Sequence, residues 1–294
     1  MSGNKSTLTK VNALLSMMRL PNCVMIGFAV IVGEIIASPV LLTQDEVEKF
    51  AVALFYGFMT GFLLLGSSMV LNDYYDREID AINAPERPIP SGVIKPSGAL
   101  SFVAILASAG FFFSAHTGVS TLIIAGVSMV IAFAYNAWLK KTGLFGNVMV
   151  SANVAVPFIY GGFAVESKGL FPLLVFASLA FLSSLGREVV KGIVDVPGDA
   201  AKGVRSIAVT MGNAYAAKRG AFFFLAAVAL SVLPLALGIV SQYYIPLVLI
   251  CDLGFLLSTY SIVTTPTPQN AKRNKKYVLV WMFFGLLAFV IGTV

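Results

Sequence analysis

Charged residues are scarce in this chain of 294 residues, since Asp, Glu, Lys and Arg together make up only 12% of it. Soluble domains carry roughly 25% charged residues, so an ordinary soluble domain is excluded. Hydrophobic residues make up 58%, and the mean hydropathy is +0.88. Because a helix crosses a bilayer with about 20 mostly apolar residues, the composition predicts an all-α membrane protein with several transmembrane helices.

Cysteine and histidine are almost absent, which limits the chemistry open to the chain. Its two cysteines, Cys23 and Cys251, lie far apart inside apolar segments, without the close spacing of a metal site or a redox pair. We predict that both are small buried hydrophobic side chains. The single histidine, His116, lies in a short connection between two apolar runs, which argues against catalysis centred on histidine.

Nine apolar segments are long enough to cross a membrane, and we predict one multi-pass domain over residues 1–294. The predicted spans are 21–39, 50–71, 98–115, 118–138, 147–165, 170–187, 219–239, 243–263 and 276–293. Before the first span, Val11, Leu14, Leu15 and Met18 follow helical spacing. This pattern predicts a short interfacial helix, or alternatively the first turns of the first span.

Positive charge is distributed unequally between the two sides of these spans. All of the 20 lysines and arginines except Lys49 and Lys168 fall on one side. The positive-inside rule therefore predicts a cytoplasmic N-terminus, cytoplasmic long loops and an external C-terminus in a cell membrane. This asymmetry accounts for the net charge of +6, so we expect no nucleic-acid partner. The sequence makes no prediction about the oligomeric state.

The first acidic motif, NDYYDREID, follows the second predicted span. At about 100° per residue, Asn72, Asp73, Asp76 and Asp80 fall within roughly 100° of one helix face, whereas Glu78 points away. Carboxylates crowded on one face repel each other unless a cation holds them, and hard oxygen ligands favour Mg²⁺. The alternative for this motif alone is a solvated acidic loop.

The second acidic motif, REVVKGIVDVPGD, follows the sixth predicted span with a similar spacing of Glu188, Lys191, Asp195 and Asp199. Pro197 and Gly198 predict that the helix ends near Val196. Two acidic clusters around one cavity would hold Mg²⁺ ions and a diphosphate. We therefore predict a central cavity that opens at the cytoplasmic face, with a lipid-facing compartment beneath it.

Basic, tyrosyl and amide side chains accompany both motifs at the same side of the membrane. Arg87 can donate two parallel hydrogen bonds to a phosphate, and Tyr135 and Lys140 end the fourth span. The further candidates for substrate contact are Arg19, Asn22, Lys191 and Arg205. Four basic residues at the start of the ninth span are interpreted as topology-setting charges only: Lys272, Arg273, Lys275 and Lys276.

These motifs resemble those of the UbiA superfamily of intramembrane prenyltransferases, over essentially the whole chain. NDYYDREID matches its NDxxDxxxD motif and DVPGD its second, DxxxD motif; YNAWLKK followed by Gly146 and Asn147, RLPN and RPIPSG are also similar. The resemblance implies nine transmembrane helices around a central cavity. It also implies a Mg²⁺-dependent enzyme that binds a prenyl diphosphate donor and a lipidic acceptor within the bilayer.

Within the superfamily, NAPERPIPSG and SLGREVVKGIVDVPGD look most like the archaeal branch that builds ether lipids. That likeness implies transfer of a geranylgeranyl group from its diphosphate to the hydroxyl of geranylgeranylglyceryl phosphate. Gly192 stands where such sequences commonly carry an aspartate, so the second cluster has one carboxylate fewer. Glu188, Asp195 and Asp199 remain available.

The predicted roles of the site residues combine this chemistry with the resemblance. The predicted metal ligands are Asn72, Asp76, Asp80, Asp195 and Asp199. The predicted substrate contacts are Arg19, Asn22, Arg87, Tyr135, Lys140, Glu188, Lys191 and Arg205. Tyr135 is also a candidate catalytic residue, and the acceptor proton would pass to Asp73, to Asp80 or to a diphosphate oxygen.

Three other functions remain open from the sequence. The same machinery could prenylate an aromatic acceptor in quinone biosynthesis. A cation-coupled secondary transporter would use carboxylates near the bilayer midplane, and only Asp252 fits that position; its other interpretation is a structural hydrogen bond to a neighbouring helix. An inert lipid-binding scaffold is the third, and the intact pair of motifs argues against it.

Overall fold

The computed structural model describes residues 2–38, 44–165 and 169–293, and the regular secondary structure in these ranges is helical, without strands. The twelve α-helices are α1 Ser2–Met18, α2 Leu20–Ala37, α3 Gln44–Asn83, α4 Pro96–Thr117, α5 Val119–Ala137, α6 Leu144–Ala164, α7 Phe171–Ala201, α8 Ile207–Met211, α9 Asn213–Leu230, α10 Leu233–Ala236, α11 Tyr244–Thr264 and α12 Pro268–Thr293. A 3₁₀ turn, Leu139–Thr142, lies between α5 and α6.

Nine segments of the described ranges are long and apolar enough to cross a membrane, as predicted. They comprise α2 to α7, α9 together with α10, α11 and α12. The chain is therefore a multi-pass membrane protein. Residue 39, the predicted end of the first span, and Lys168 lie outside the described residues.

A separate helix, α1, precedes the first span, so the prediction of an N-terminal helix is confirmed. The break between α1 and α2 occurs at Arg19, whose backbone is left-handed with φ 56° and ψ 60°. A non-glycine residue rarely takes this conformation. Buried contacts of Met17 and Met18 at the end of α1 hold the break in place.

Both acidic motifs lie on continuous long helices. With 40 residues, α3 is about 60 Å long at 1.5 Å per residue, which is twice the thickness of a bilayer core. The prediction that α7 ends near Val196 is wrong, because α7 continues through Pro197 to Ala201. Proline removes its own backbone donor and its ring crowds the preceding turn, yet the helix tolerates this, and the backbone N–H of Lys202 reaches the Gly198 carbonyl at 3.2 Å.

Eight of the helices line a central cavity, and α4 packs outside them against α3. On one side of the cavity, α2 and α6 approach each other at glycines. A Cβ on Gly33 would lie 2.3 Å from the Phe158 carbonyl oxygen, and one on Gly161 would lie 2.2 Å from the Val30 carbonyl oxygen. Small residues allow this close approach of helix backbones inside a membrane.

Candidate active site

The central cavity has a volume of about 970 Å³, at the upper end of the range for small-molecule sites. Charged and amide side chains line it where α3 and α7 end, and we call this the motif end. Mostly apolar side chains line the rest, as far as Tyr244 and Phe289 near the opposite end. A ligand with an anionic head and a long hydrocarbon chain matches this division.

Two buried carboxylates of α3 face the motif end of the cavity, and each is bonded to a cation. The Lys140 Nζ donates to both carboxylate oxygens of Asp76 at 2.6 Å. The Arg87 Nη1 donates to Asp80 Oδ2 at 2.6 Å. Both carboxylates also line the cavity, so the prediction of one shared helix face is confirmed for them.

Asp73 lies on the same side of α3 but does not line the cavity. Its Oδ1 accepts a hydrogen bond from Arg19 Nη2 at 2.9 Å and lies 3.7 Å from Arg87 Nη1. The two guanidinium groups thus occupy this carboxylate. Asp73 is therefore badly placed for its predicted role as a base, because that role needs hydrogen-bonding reach to a substrate proton.

Glu78 points away from the cavity, as the helix spacing predicts. Its carboxylate is exposed and pairs with Lys202, the residue that follows α7. An exposed ion pair of this kind contributes little to stability. It nevertheless joins the ends of α3 and α7, the two helices that carry the motifs.

The loop after α3 folds back on the helix and delivers Arg87. Ile89 and Ile94 are buried in the core and anchor this loop. Burial opposes the charged form of Arg87, but the neighbouring carboxylates, Asp80 first and then Asp73, outweigh it and raise the pKa of the guanidinium above its ordinary value. Arg87 is therefore a permanent positive charge at the cavity.

Asn72 owes its orientation to a residue that the sequence reasoning missed. Its Nδ2 donates to Asn136 Oδ1 at 2.7 Å, and Asn136 Nδ2 in turn donates to the Ala132 carbonyl at 2.9 Å. With its amide nitrogen bound in this way, Asn72 keeps Oδ1 available to the cavity. The signal in the sequence that could have identified Asn136 was an amide side chain within the apolar run that forms α5.

The connection between α5 and α6 brings Tyr135 and Lys140 beside the second motif. Gly143 makes this possible, because its φ is +69° and a Cβ there would lie 2.1 Å from the Arg205 carbonyl oxygen. The Arg205 N–H also donates to the Lys141 carbonyl at 3.2 Å. Arg205 thus acts through its backbone, and its exposed side chain does not line the cavity.

The second motif separates into one paired and two unpaired carboxylates. Glu188 is buried and bonds Arg187 Nη1 and Lys191 Nζ, each at 3.0 Å. Asp195 and Asp199 line the cavity, and among the described residues no lysine or arginine nitrogen lies within 4.0 Å of either carboxylate. Both acids therefore lack a direct cationic partner and can donate their oxygens to another cation.

Gly192 faces the loop after α7. A Cβ at this position would make ordinary contact with Ser206 at 3.7 Å. The missing carboxylate is therefore not forced by lack of room. The glycine borders a side pocket of about 30 Å³ that Tyr135, Lys140 and Asp199 also line.

Most of the predicted site residues come together at the motif end. Those that line the cavity are Arg19, Asn22, Asn72, Asp76, Asp80, Arg87, Tyr135, Lys140, Glu188, Lys191, Asp195 and Asp199. Asp73 and Arg205 do not line it. Three basic residues that the sequence reasoning left out of the site also line it, namely Arg187, Lys272 and Lys275.

The donor set suits a hard divalent cation that also binds phosphate. In the described part of the chain, no group of three acids, histidines or cysteines forms a closed metal site. Mg²⁺ usually takes only one or two carboxylates, together with waters and substrate phosphates. Asn72, Asp76, Asp195 and Asp199 line the same cavity, so they can supply amide and carboxylate oxygens to such a cation.

Asp252 hydrogen-bonds to a neighbouring segment, one of its two predicted interpretations. Its Oδ2 accepts from Ser231 Oγ at 2.7 Å, and the Ser231 carbonyl accepts from Tyr244 at 2.9 Å. These three residues line the cavity far from the motif end. The carboxyl therefore lies apart from the other acids.

Comparison with known proteins agrees with this arrangement. The model of the UbiA prenyltransferase family matches residues 27–287. The chain belongs to the UbiA prenyltransferase family. It is therefore an intramembrane prenyltransferase, and the transporter and inert-scaffold interpretations are not retained.

Relatives and solved structures of this UbiA chain cover almost its full length. Digeranylgeranylglyceryl phosphate synthase of Methanosarcina mazei is 32% identical over 287 residues, 96% of this chain and 98% of the relative. A solved structure described as digeranylgeranylglyceryl phosphate synthase in membranes is 31% identical, covers 97% and 98% of the two chains, and has a TM-score of 0.70. A UbiA homologue from Archaeoglobus fulgidus bound to GPP and Mg²⁺ shares the fold, with a TM-score of 0.64 at 15% identity and 95% and 100% coverage.

Proposed function

We propose that this prenyltransferase transfers a geranylgeranyl group from its diphosphate to the hydroxyl of geranylgeranylglyceryl phosphate. The relatives named digeranylgeranylglyceryl phosphate synthase support this choice of substrates. The observation that carries the proposal is the division of the cavity. Charged groups suited to phosphates surround the motif end of this cavity of about 970 Å³, and mostly apolar walls line the remainder.

We propose that Asn72, Asp76, Asp80, Asp195 and Asp199 hold Mg²⁺. The unpaired carboxylates of the second motif and the Mg²⁺ bound to the homologue from Archaeoglobus fulgidus support this assignment. When bound, Mg²⁺ supplies electrostatic stabilisation of the leaving diphosphate.

The basic residues of the motif end bind and orient the donor in this proposal. Arg87 and Lys140 lie on the carboxylates of α3 at 2.6 Å, and in this proposal they move from Asp80 and Asp76 to the diphosphate when those carboxylates bind the metal. Tyr135 and Lys191 line the same region. Positive charge fixed where negative charge develops lowers the barrier to breaking the allylic C–O bond.

Breaking that bond leaves its electron pair on the diphosphate and an allylic cation in the cavity. The acceptor hydroxyl then forms the new ether bond and gives its proton to Asp80 or to a diphosphate oxygen. Of the two carboxylates considered as bases, only Asp80 lines the cavity. Apolar walls that include Phe158 exclude water, which would otherwise capture the cation.

We also propose that the motif end faces the cytoplasm, because the lysines and arginines are concentrated on that side. A fluorescent protein that folds only in the cytoplasm reports this orientation. It is expected to fluoresce on the N-terminus and to stay dark on the C-terminus, and the reverse pattern contradicts the proposal.

A comparison of two acceptors tests the proposed reaction. Purified protein in lipid would receive labelled geranylgeranyl diphosphate, Mg²⁺ and either geranylgeranylglyceryl phosphate or 4-hydroxybenzoate. We expect an ether product and inorganic diphosphate with the first acceptor only, and no product after chelation with EDTA. Product with the aromatic acid alone would contradict the choice of acceptor, and EDTA-resistant activity would contradict the metal.

Replacement of Asn136 tests how Asn72 is positioned. In Asn136→Ala the partner of the Asn72 amide is lost, so Asn72 is free to turn its nitrogen towards the metal. Groups that orient a ligand typically change metal affinity or activity by about 10- to 100-fold. We expect the Mg²⁺ concentration for half-maximal rate to rise about tenfold, while the KM for the prenyl donor at saturating Mg²⁺ changes little. An unchanged Mg²⁺ requirement would show that Asn136 has no such role.

A further inference from the structure

Two lysines of α12 line the cavity although their sequence context suggests only topology. Lys272 is exposed and Lys275 is half-buried. Among the described residues, no carboxylate oxygen lies within 4.0 Å of either ammonium group. They therefore bring unpaired positive charge to the cavity.

Arg187 of α7 joins this pair of lysines. Its Nε donates to the Lys275 carbonyl at 3.4 Å, and its Nη1 donates to Glu188 at 3.0 Å. Guanidinium has five N–H donors in a fixed fork; these two contacts use two of them, and Arg187 lines the cavity. The charged groups around the Lys275 ammonium are Asp195, Lys191, Arg187 and Glu188.

Charge balance distinguishes this region from the first motif. On α3, the carboxylates and their partners balance one for one: Asp73 with Arg19, Asp76 with Lys140, and Asp80 with Arg87. On α7 and α12, by the same count, the four basic residues Arg187, Lys191, Lys272 and Lys275 accompany the three carboxylates of Glu188, Asp195 and Asp199, which leaves one positive charge in surplus before any metal binds. The surplus of positive charge on this side fits a second anion besides the diphosphate.

The register of α12 shows what kind of anion fits. Lys272 and Lys275 continue a stripe of cavity-lining residues with helical spacing: Leu279, Met282, Leu286 and Phe289. One helix face is thus apolar along most of its length and ends in two ammonium groups. A lipid with a phosphate head matches this helix face, because its hydrocarbon chain suits the apolar part and its phosphate suits the two ammonium groups.

We propose that Lys272, Lys275 and Arg187 bind the phosphate monoester of the acceptor lipid. The chain of that lipid would lie along Leu279 and Met282, with its glycerol hydroxyl towards the metal site. This assignment rests on the proposed function for its acceptor. It separates the two phosphate-bearing substrates, with the donor diphosphate between the acidic motifs and the acceptor phosphate on α12.

Substitution of the two lysines tests the assignment, and α12 offers a matched control. Lys276 is exposed, lies beside Lys275 in the sequence and does not line the cavity. The variants are Lys272→Gln, Lys275→Gln, the double variant and Lys276→Gln, each checked for an unchanged melting temperature. Glutamine keeps most of the side-chain length, so charge is the main change.

Lost charge-assisted hydrogen bonds predict a rise of about 10- to 100-fold in the acceptor KM of the double variant. We expect an unchanged donor KM, and wild-type values for Lys276→Gln. Geranylgeranylglycerol, which lacks the phosphate, gives a second arm: the wild type should use it poorly, and the double variant should discriminate little between the two acceptors. A raised donor KM with an unchanged acceptor KM would assign the lysines to the diphosphate and overturn the proposal.

Calorimetric titration of geranylgeranylglyceryl phosphate into the protein in nanodiscs separates this proposal from the proposed reaction. In one outcome, the wild type binds the lipid in the titration yet forms no product in the acceptor assay. If the double variant then binds it at least tenfold more weakly, the proposed reaction is contradicted and the phosphate site is supported. If product forms and binding by all variants is equal, the reaction stands and the phosphate site fails. Equal loss in Lys276→Gln would indicate a general surface charge effect and also overturn the site.

Discussion

Asp76→Ala is expected to lower kcat by roughly 100- to 1000-fold, a loss typical when one electrostatic contact to a transition state is removed. Asp76 is buried, lines the cavity, and receives both hydrogen bonds of Lys140 at 2.6 Å. Its removal takes away a proposed metal ligand and leaves Lys140 without its partner. Single-turnover transfer at saturating donor measures the chemical step directly.

Two variants separate the charge of Asp76 from general damage to α3. Asp76→Asn keeps the shape and removes the charge, so we expect nearly the same loss and a higher Mg²⁺ requirement. Glu78→Ala, two residues further along and exposed on the other side of α3, is expected to stay within about twofold of wild type because an exposed ion pair contributes little. Wild-type kcat in Asp76→Ala, or equal losses at Asp76 and Glu78, would contradict the assignment.

Gly161→Ala is expected to destabilise the fold strongly although it adds a single methyl group. The new Cβ would lie 2.2 Å from the Val30 carbonyl oxygen and 2.7 Å from the Glu34 nitrogen. Both neighbours are backbone atoms of α2, so α2 and α6 have to separate. Overpacking costs about 1–3 kcal/mol and sometimes more, and the upper part of this range is expected here.

A glycine in open space provides the matched control for this substitution. Gly126 lies in α5, and a Cβ there would meet nothing within 4 Å. Gly126→Ala should leave the melting temperature unchanged or raise it slightly, since alanine favours a helix by about 0.5–1 kcal/mol over glycine. Thermal unfolding in detergent with a thiol-reactive or scattering readout compares the two. Equal melting temperatures would show that α2 and α6 can separate freely.

The sequence by itself determined the membrane fold and the face of the first motif. Long apolar runs predict helices because every backbone polar group in lipid needs a hydrogen-bond partner within the protein, and the described ranges contain nine helices that can cross a membrane. Spacing of three and four residues places Asp76 and Asp80 on one face of a helix, with Glu78 on the other. Such local periodicity needs no knowledge of the rest of the molecule.

The tertiary structure decided which charges meet. Asp73 and Asp76 belong to one helix face by spacing, yet Arg19 occupies Asp73 away from the cavity while Asp76 faces it. Lys275 and Lys276 are indistinguishable as basic residues near a helix start, but only Lys275 lines the cavity. Pro197 was expected to end α7. The helix instead continues to Ala201, and backbone hydrogen bonds are present again after the proline.

The physical reason is the range of the interactions. Helical periodicity is set by the backbone within a few residues, whereas the partner of a buried charge is set by helices distant in sequence. Asn72 and Asn136 are 64 residues apart, as are Asp76 and Lys140, and each pair forms hydrogen bonds of 2.6–2.7 Å. Composition and spacing therefore determined the helices and the chemical class of the site, and helix packing alone decided which side chains share it.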